Sequence, residues 1–152
     1  METQIVIFDL NDEHFGVDIN DVESIIKIQT ITRMPQTLPF VEGIINLRGK
    51  VLPVVDLRRR FNLPSQSETK DTRIVVASLN GFETGMVVDG VSEVLTIQDT
   101  DIEPTPQIVT TVDSEFITGI AKLENRLIIL LDLNSILTTP KKMALQALPT
   151  VV

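Results

Sequence analysis

The chain has 152 residues, of which 43% are apolar and mostly Val, Ile and Leu, enough for one core or two very small ones. Its 13 basic and 21 acidic residues give a net charge of −8, which disfavours a general role on nucleic acid or an anionic membrane, where phosphate binding needs a basic surface. There is no cysteine, so disulfides and thiolate metal sites are excluded.

The N-terminus, Met1-Glu2-Thr3-Gln4, is not a basic region followed by an apolar run, so no signal peptide is expected. No apolar run approaches the roughly 20 residues of a membrane helix. β-branched runs bounded by turn residues recur along the chain, the pattern of an all-β barrel or sandwich. Strands are predicted near Gln4–Leu10, Phe15–Ile19, Ile25–Ile31, Gly43–Leu47 and Val51–Val55. Further strands are predicted near Arg73–Leu79, Thr84–Val88, Val94–Ile97, Gly119–Leu123 and Leu127–Leu131. Asn80-Gly81, Arg48-Gly49-Lys50 and Glu124-Asn125 read as tight hairpin turns. Pro53 implies a strand edge or bulge. Asp56 and Asp132 each follow an apolar strand and suit the caps of short helical turns. Pro64 to Asp71 reads as a linker. Thr139-Pro140 opens a predicted C-terminal helix, roughly 140–148.

The chain also carries an internal repeat. Phe40–Phe61 aligns without a gap on Phe116–Leu137, matching Gly43 to Gly119, Leu47 to Leu123 and Asp56-Leu57 to Asp132-Leu133. Val6–Ile26 aligns on Val75–Leu95, matching Leu10-Asn11 to Leu79-Asn80, Gly16 to Gly85 and Val22 to Val91. One structural unit is used twice, and the seam between the copies is a natural binding site. The expected subdomains are roughly 12–66 and 70–137 within one domain of 1–152.

Catalytic constellations are sparse. The single histidine, His14, reads as a solvated residue of the Asn11–His14 turn. No nucleophile elbow, dinucleotide loop or phosphate loop is present. Asp99, Asp101 and Glu103 alternate but lack the glycine and closing glutamate of a calcium loop. Arg58-Arg59-Arg60 reads as a solvated helical face. No catalytic residue, cofactor or metal is expected. The polar feature that stands out is Asn46-Leu47-Arg48-Gly49-Lys50, where the second copy replaces Arg48 by Glu124.

The run Phe40-x-x-Gly43-Ile44-Ile45-Asn46-Leu47-Arg48-Gly49-x-Val51-x-Pro53-Val54-Val55-Asp56-Leu57 closely resembles the signature of the CheW family, the coupling proteins of bacterial and archaeal chemotaxis. Pro35-x-x-x-Pro39, Phe15–Ile19, Gly85–Val91 and Ile102-x-Pro104-x-Pro106 agree with it. The resemblance spans about Gln4 to Met143. It implies an all-β fold of two intimately packed five-stranded SH3-like β-barrels and a non-enzymatic adaptor between chemoreceptors and a CheA-type histidine kinase. It further implies a cytoplasmic protein at membrane-associated receptor arrays, with no nucleic acid partner, no membrane insertion and a weak ring self-association. Arg48, Asn46, Val22, Ser24, Gly85 and Val91 match its receptor-binding positions, Ser24 standing where many members carry Glu. Glu103, Gln107 and Ile108 match the segment that meets the kinase regulatory domain in rings. Other readings are an excised kinase regulatory domain, which length argues against, a barrel binding a small ligand between its halves, and a hydrolase using paired carboxylates.

Overall fold

Four hairpins with two-residue tips supply most of the structure. The computed structural model describes residues 2–34, 40–64, 66–79, 81–104, 116–123 and 125–136. β1 (Glu2–Leu10) and β2 (Glu13–Asp18) turn at Asn11-Asp12, with φ of 53° and 67°. β4 (Val41–Leu47) and β5 (Lys50–Asp56) turn at Arg48-Gly49, with φ of 54° and 87°. Positive φ at both central residues is the mark of the type I′ turn, whose twist matches that of the flanking strands. β6 (Arg73–Leu79) closes on β7 (Phe82–Val88) at Leu79↔Phe82. β10 (Ile117–Leu123) closes on β11 (Arg126–Leu131) at Leu123↔Arg126. Gly49 and Asn125 therefore occupy equivalent tips, as the repeat requires. β3 (Val22–Lys27), β8 (Gly90–Gln98) and the two-residue β9 (Ile102–Glu103) complete the strands. Short helices α1 (Leu57–Arg60) and α2 (Leu133–Ile136) follow β5 and β11. Asp56 and Asp132 cap them, accepting from Arg58 N and Asn134 N. The predicted C-terminal helix lies outside the described residues.

The strands form two sheets of matching plan, in keeping with the all-β, two-barrel expectation. One runs β3-β6-β7-β5-β4 and the other β8-β1-β2-β11-β10-β9. Under the repeat, β1 and β2 correspond to β6 and β7, β3 to β8, β4 to β10 and β5 to β11. Position by position, the first sheet is the second without β9. Each sheet takes its first two repeat strands from one copy and the other three from the other copy. The expected subdomains, 12–66 and 70–137, follow the repeat, whereas the sheets cut across it. The reason is the connections: the three-residue turn Ile19–Asp21 between β2 and β3, and the single residue Asp89 between β7 and β8, are too short to fold each hairpin back, and β1 pairs with β8 over most of its length.

Both faces of the central strands are buried, which explains apolar runs such as Val54-Val55. On one face Ile45, Leu52, Val54, Ile74 and Val76 fill the first sheet's own core. Their repeat mates Ala121, Ile128, Leu130, Ile5 and Ile7 fill that of the second. The other faces meet in a larger central core that includes Val6, Phe8, Phe15, Val55, Val75, Met86 and Leu131. Four phenyl rings run through it in sequence, Phe8, Phe15, Phe61 and Phe116, with neighbouring centroids 5.7–6.0 Å apart.

Pro53 lies on a central strand, not an edge. Ile44, opposite it, donates its N–H to Thr32 O and accepts at its C=O from Thr32 N, each at 2.9 Å, so Ile44 and Pro53 form a non-hydrogen-bonded pair. The parallel ladder from β5 to β7 begins only at Val54↔Gly85. The missing N–H of Pro53 therefore interrupts no bond.

Candidate functional site

The β4–β5 tip is built so that one cation projects from it. Arg48 is exposed and occupies the left-handed region, which costs an L-residue about 1–2 kcal/mol relative to right-handed helix. Among the described residues its side chain has no hydrogen-bond or ion-pair partner. The neighbouring Lys50 is occupied: its Nζ lies 2.6 Å from Glu83 Oε1. The hydrogen bond to Glu83 raises the Lys50 pKa, and the same bond lowers that of Glu83. Glu83 lies near the start of β7, opposite Ser78, and Val22 pairs with Ala77, so the start of β3, with Val22 and Ser24, lies at the end of the sheet that carries Arg48.

The other predicted site residues fall differently. Asn46 is exposed, but its Oδ1 accepts the Gly49 N–H at 3.0 Å, so its amide is engaged in the turn. Val22 is half-buried and rests on the central core, as does its repeat mate Val91 on the other sheet. Ser24 is half-buried opposite Val76, just past a bulge. Gly85, matched to a receptor-binding position, packs inside its sheet. It is buried, and a Cβ there would come within 2.8 Å of Ile74 Cγ2. Its repeat mate Gly16 faces Ile5, Ile128 and Leu130 in the same way, so both glycines let two strands of a core approach. Gly85→Ala should lower stability by about 1–3 kcal/mol through overpacking. A urea melt should show a lower midpoint with an unchanged slope; a midpoint equal to that of the parent would remove the packing role. Glu103 is exposed on β9 at the edge of its sheet. Gln107 and Ile108 lie outside the described residues.

Two arginines expected on a solvated face are buried, Arg58 at 8% and Arg60 at 5% exposure. Arg58 donates through Nε and Nη2 to both oxygens of Asp89, at 2.8 and 2.6 Å, through Nη1 to Pro64 O at 2.6 Å, and to Gln66 Oε1. Asp89 also accepts from Asn11 N at 2.8 Å. One guanidinium thus ties α1, the linker, the β7–β8 corner and the β1–β2 turn. Partial burial works to raise the Asp89 pKa, but the bonds from Arg58 and Asn11 and the guanidinium charge outweigh it and hold the carboxyl below its usual 3.8. Arg60 stacks over the repeat mates Phe40 and Phe116, 5.2 and 4.2 Å from their centroids. Arg59 pairs with Glu42 and Asp56. The sequence signal for these roles was a break in the repeat: Arg58, Arg60 and Asp89 align with Asn134, Ile136 and Asn20.

A cavity of about 670 Å³ surrounds the Arg58–Asp89 pair, with Asp9, His14, Gln66 and Val91 in its wall. Its central charges satisfy each other. His14 stands in β2, with Nδ1 2.7 Å from Asp9 Oδ1, and Ser92 Oγ bonds the same carboxylate. A serine bonded to the acid lacks the serine–histidine bond that general-base activation uses. Asp101 accepts from Gln98 N, closing a cap on the short turn at Asp99–Asp101. Among the described residues, no group of three His, Cys, Asp or Glu side chains is placed to hold a metal, and no helix is long and apolar enough to cross a membrane.

Comparison with known proteins matches residues 4–141 to the CheW-like domain. The chain is 38% identical to Chemotaxis protein CheW of Bacillus subtilis, over 88% of this chain and 86% of that one. It is 36% identical to Chemotaxis protein CheW of Klebsiella aerogenes, over 93% and 85%. The crystal structure of the scaffolding protein TtCheW from Thermoanaerobacter tengcongensis superposes with a TM-score of 0.84 at 42% identity, covering 93% of this chain and 91% of that one. With two sheets of the expected plan and the match running nearly end to end, the chain belongs to the CheW-like family.

Proposed function

We propose that the protein is a non-enzymatic adaptor that couples chemoreceptors to a CheA-type histidine kinase in chemotaxis. Its receptor surface is the end of the first sheet that carries Arg48, Val22 and Ser24. Its ring contacts run through the segment 103–108, with Glu103 exposed at a sheet edge. The observation that carries the receptor assignment is Arg48 itself, an exposed arginine, unpaired among the described residues, at a turn position that its residue type does not favour. An acidic helical receptor tip is the complementary partner. Apolar contact supplies affinity, and the arginine fixes register.

Arg48→Glu tests this reading. The turn does not need a basic residue, so folding by circular dichroism should match the parent to within about 0.5 kcal/mol. Calorimetric binding to a soluble chemoreceptor cytoplasmic fragment should fall by more than about tenfold, because charge reversal adds repulsion to the lost contact. Binding equal to that of the parent would place the receptor surface elsewhere.

A further inference from the structure

We propose that Asn46 is a positioning residue that locks the β4–β5 tip in the form that presents Arg48. The inference rests on Arg48 being the receptor contact. Three observations carry it. First, Arg48 and Gly49 both adopt positive φ, at 54° and 87°, and arginine has no intrinsic preference for that region. At the β1–β2 tip the first turn residue is Asn11, a type that tolerates the left-handed region well.

Second, the turn is held from outside its own backbone. Asn46 Oδ1 accepts the Gly49 N–H at 3.0 Å, a donor that the closing pair Leu47↔Lys50 leaves free. On the other side, Lys50 is fixed to Glu83 across the sheet. The two contacts bracket the arginine and determine where its Cα–Cβ bond points. An asparagine amide suits this task because it has an acceptor oxygen and can fold back over a tight turn. Third, the repeat offers an internal comparison. The residue aligned with Asn46 is Lys122, which can only donate, and the residue aligned with Arg48 is Glu124. The acceptor and the arginine occur together in one copy and are both replaced in the other.

Asn46 commits its oxygen to Gly49 within the turn, which assigns it first to the shape of the tip. Its effect on binding should pass through Arg48.

The test is a double-mutant cycle in the full chain, with Asn46→Ala, Arg48→Ala and their combination measured against a soluble chemoreceptor cytoplasmic fragment. Amide exchange at Gly49 is followed by NMR in the same proteins. Asn46→Ala should speed Gly49 exchange and weaken receptor binding about fivefold, the effect of losing one hydrogen bond. The double variant should bind no more weakly than Arg48→Ala alone. Asn46→Asp, which keeps an acceptor oxygen, should restore slow Gly49 exchange. Additive losses would show that Asn46 contacts the receptor itself and would overturn the proposal. So would unchanged Gly49 exchange in Asn46→Ala. Should Arg48→Ala bind as the parent does, the receptor assignment fails, and the lock is then judged on Gly49 exchange alone.

Discussion

Expressed alone, residues 1–66 should fail to fold as a monomer, and mixing them with residues 67–152 should restore the native fold. The first fragment holds β1 and β2, whose partners β8 and β11 are in the second. It also holds β3, β4 and β5, whose sheet is incomplete without β6 and β7. Neither fragment can complete either sheet, and the central core draws Phe8, Phe15 and Phe61 from one and Val75, Met86 and Phe116 from the other. Self-pairing of the first fragment is opposed by size. Phe8 and Phe15 align with Ala77 and Thr84, so a symmetric pair would set four rings where the native core sets two beside smaller groups. Separate fragments should give little near-ultraviolet or cooperative thermal signal, and an equimolar mixture should give a single melt. A soluble 1–66 monomer that melts cooperatively would refute the argument.

The second large effect is expected at Arg58. Arg58→Ala should lower stability by about 3 kcal/mol, the low end of what breaking a buried ion pair costs. The low end applies because Asp89 keeps the Asn11 N–H and its side chain remains 28% exposed. For a chain of this size that is a fall in Tm of roughly 6–12 °C. Arg58→Met combined with Asp89→Asn should recover more than half of the loss, since no carboxylate is then left without a counter-ion. The pair also makes stability pH-dependent. The Asp89 pKa is depressed in the fold, so its contribution is complete above the usual 3.8 and declines as pH falls through the folded value. The acid limb of the Tm profile should accordingly flatten in the double variant. A Tm within about 2 °C of the parent for Arg58→Ala would mean that the linker and corner hold without the guanidinium.

The strands and tips were legible because they depend on near neighbours: β-branched alternation, and glycine or asparagine at turns. β3 was displaced, Val22–Lys27 against Ile25–Ile31, because Ile28 and Ile31 are apolar for a different reason. They leave the strand and pack on the sheet's own core, with Thr32 bridging to Ile44. The exchange of hairpins between sheets was not legible, since local pattern shows that β1 pairs with β2 but not which sheet the hairpin joins. Arg58 and Arg60 misled for a similar reason. Charge argues for water, and it is Asp89, distant in sequence, together with two repeat-related rings, that makes burial favourable. The packing role of Gly85 was legible through its mate Gly16, since both positions of the repeat keep glycine where two strands approach. Arg48 was legible as an exposed tip, whereas the Asn46 contact depends on the side chain folding back over the turn to Gly49.

The exchanged hairpins bear on molecularity. Two identical half-chains that swapped their first two strands would form a symmetric dimer whose folding depends on concentration. Joining them through the segment between α1 and β6 makes assembly a unimolecular event with a high effective concentration, independent of how dilute the protein is. A homodimer must also show every surface twice, because each change in sequence appears in both subunits. The fused chain is free of that constraint. It retains one frame for both halves while one tip carries Arg48 and its counterpart carries Glu124. A molecule with two unlike tips on one frame is not its own mirror in contacts, and that is what an assembly needs if each unit is to meet different neighbours.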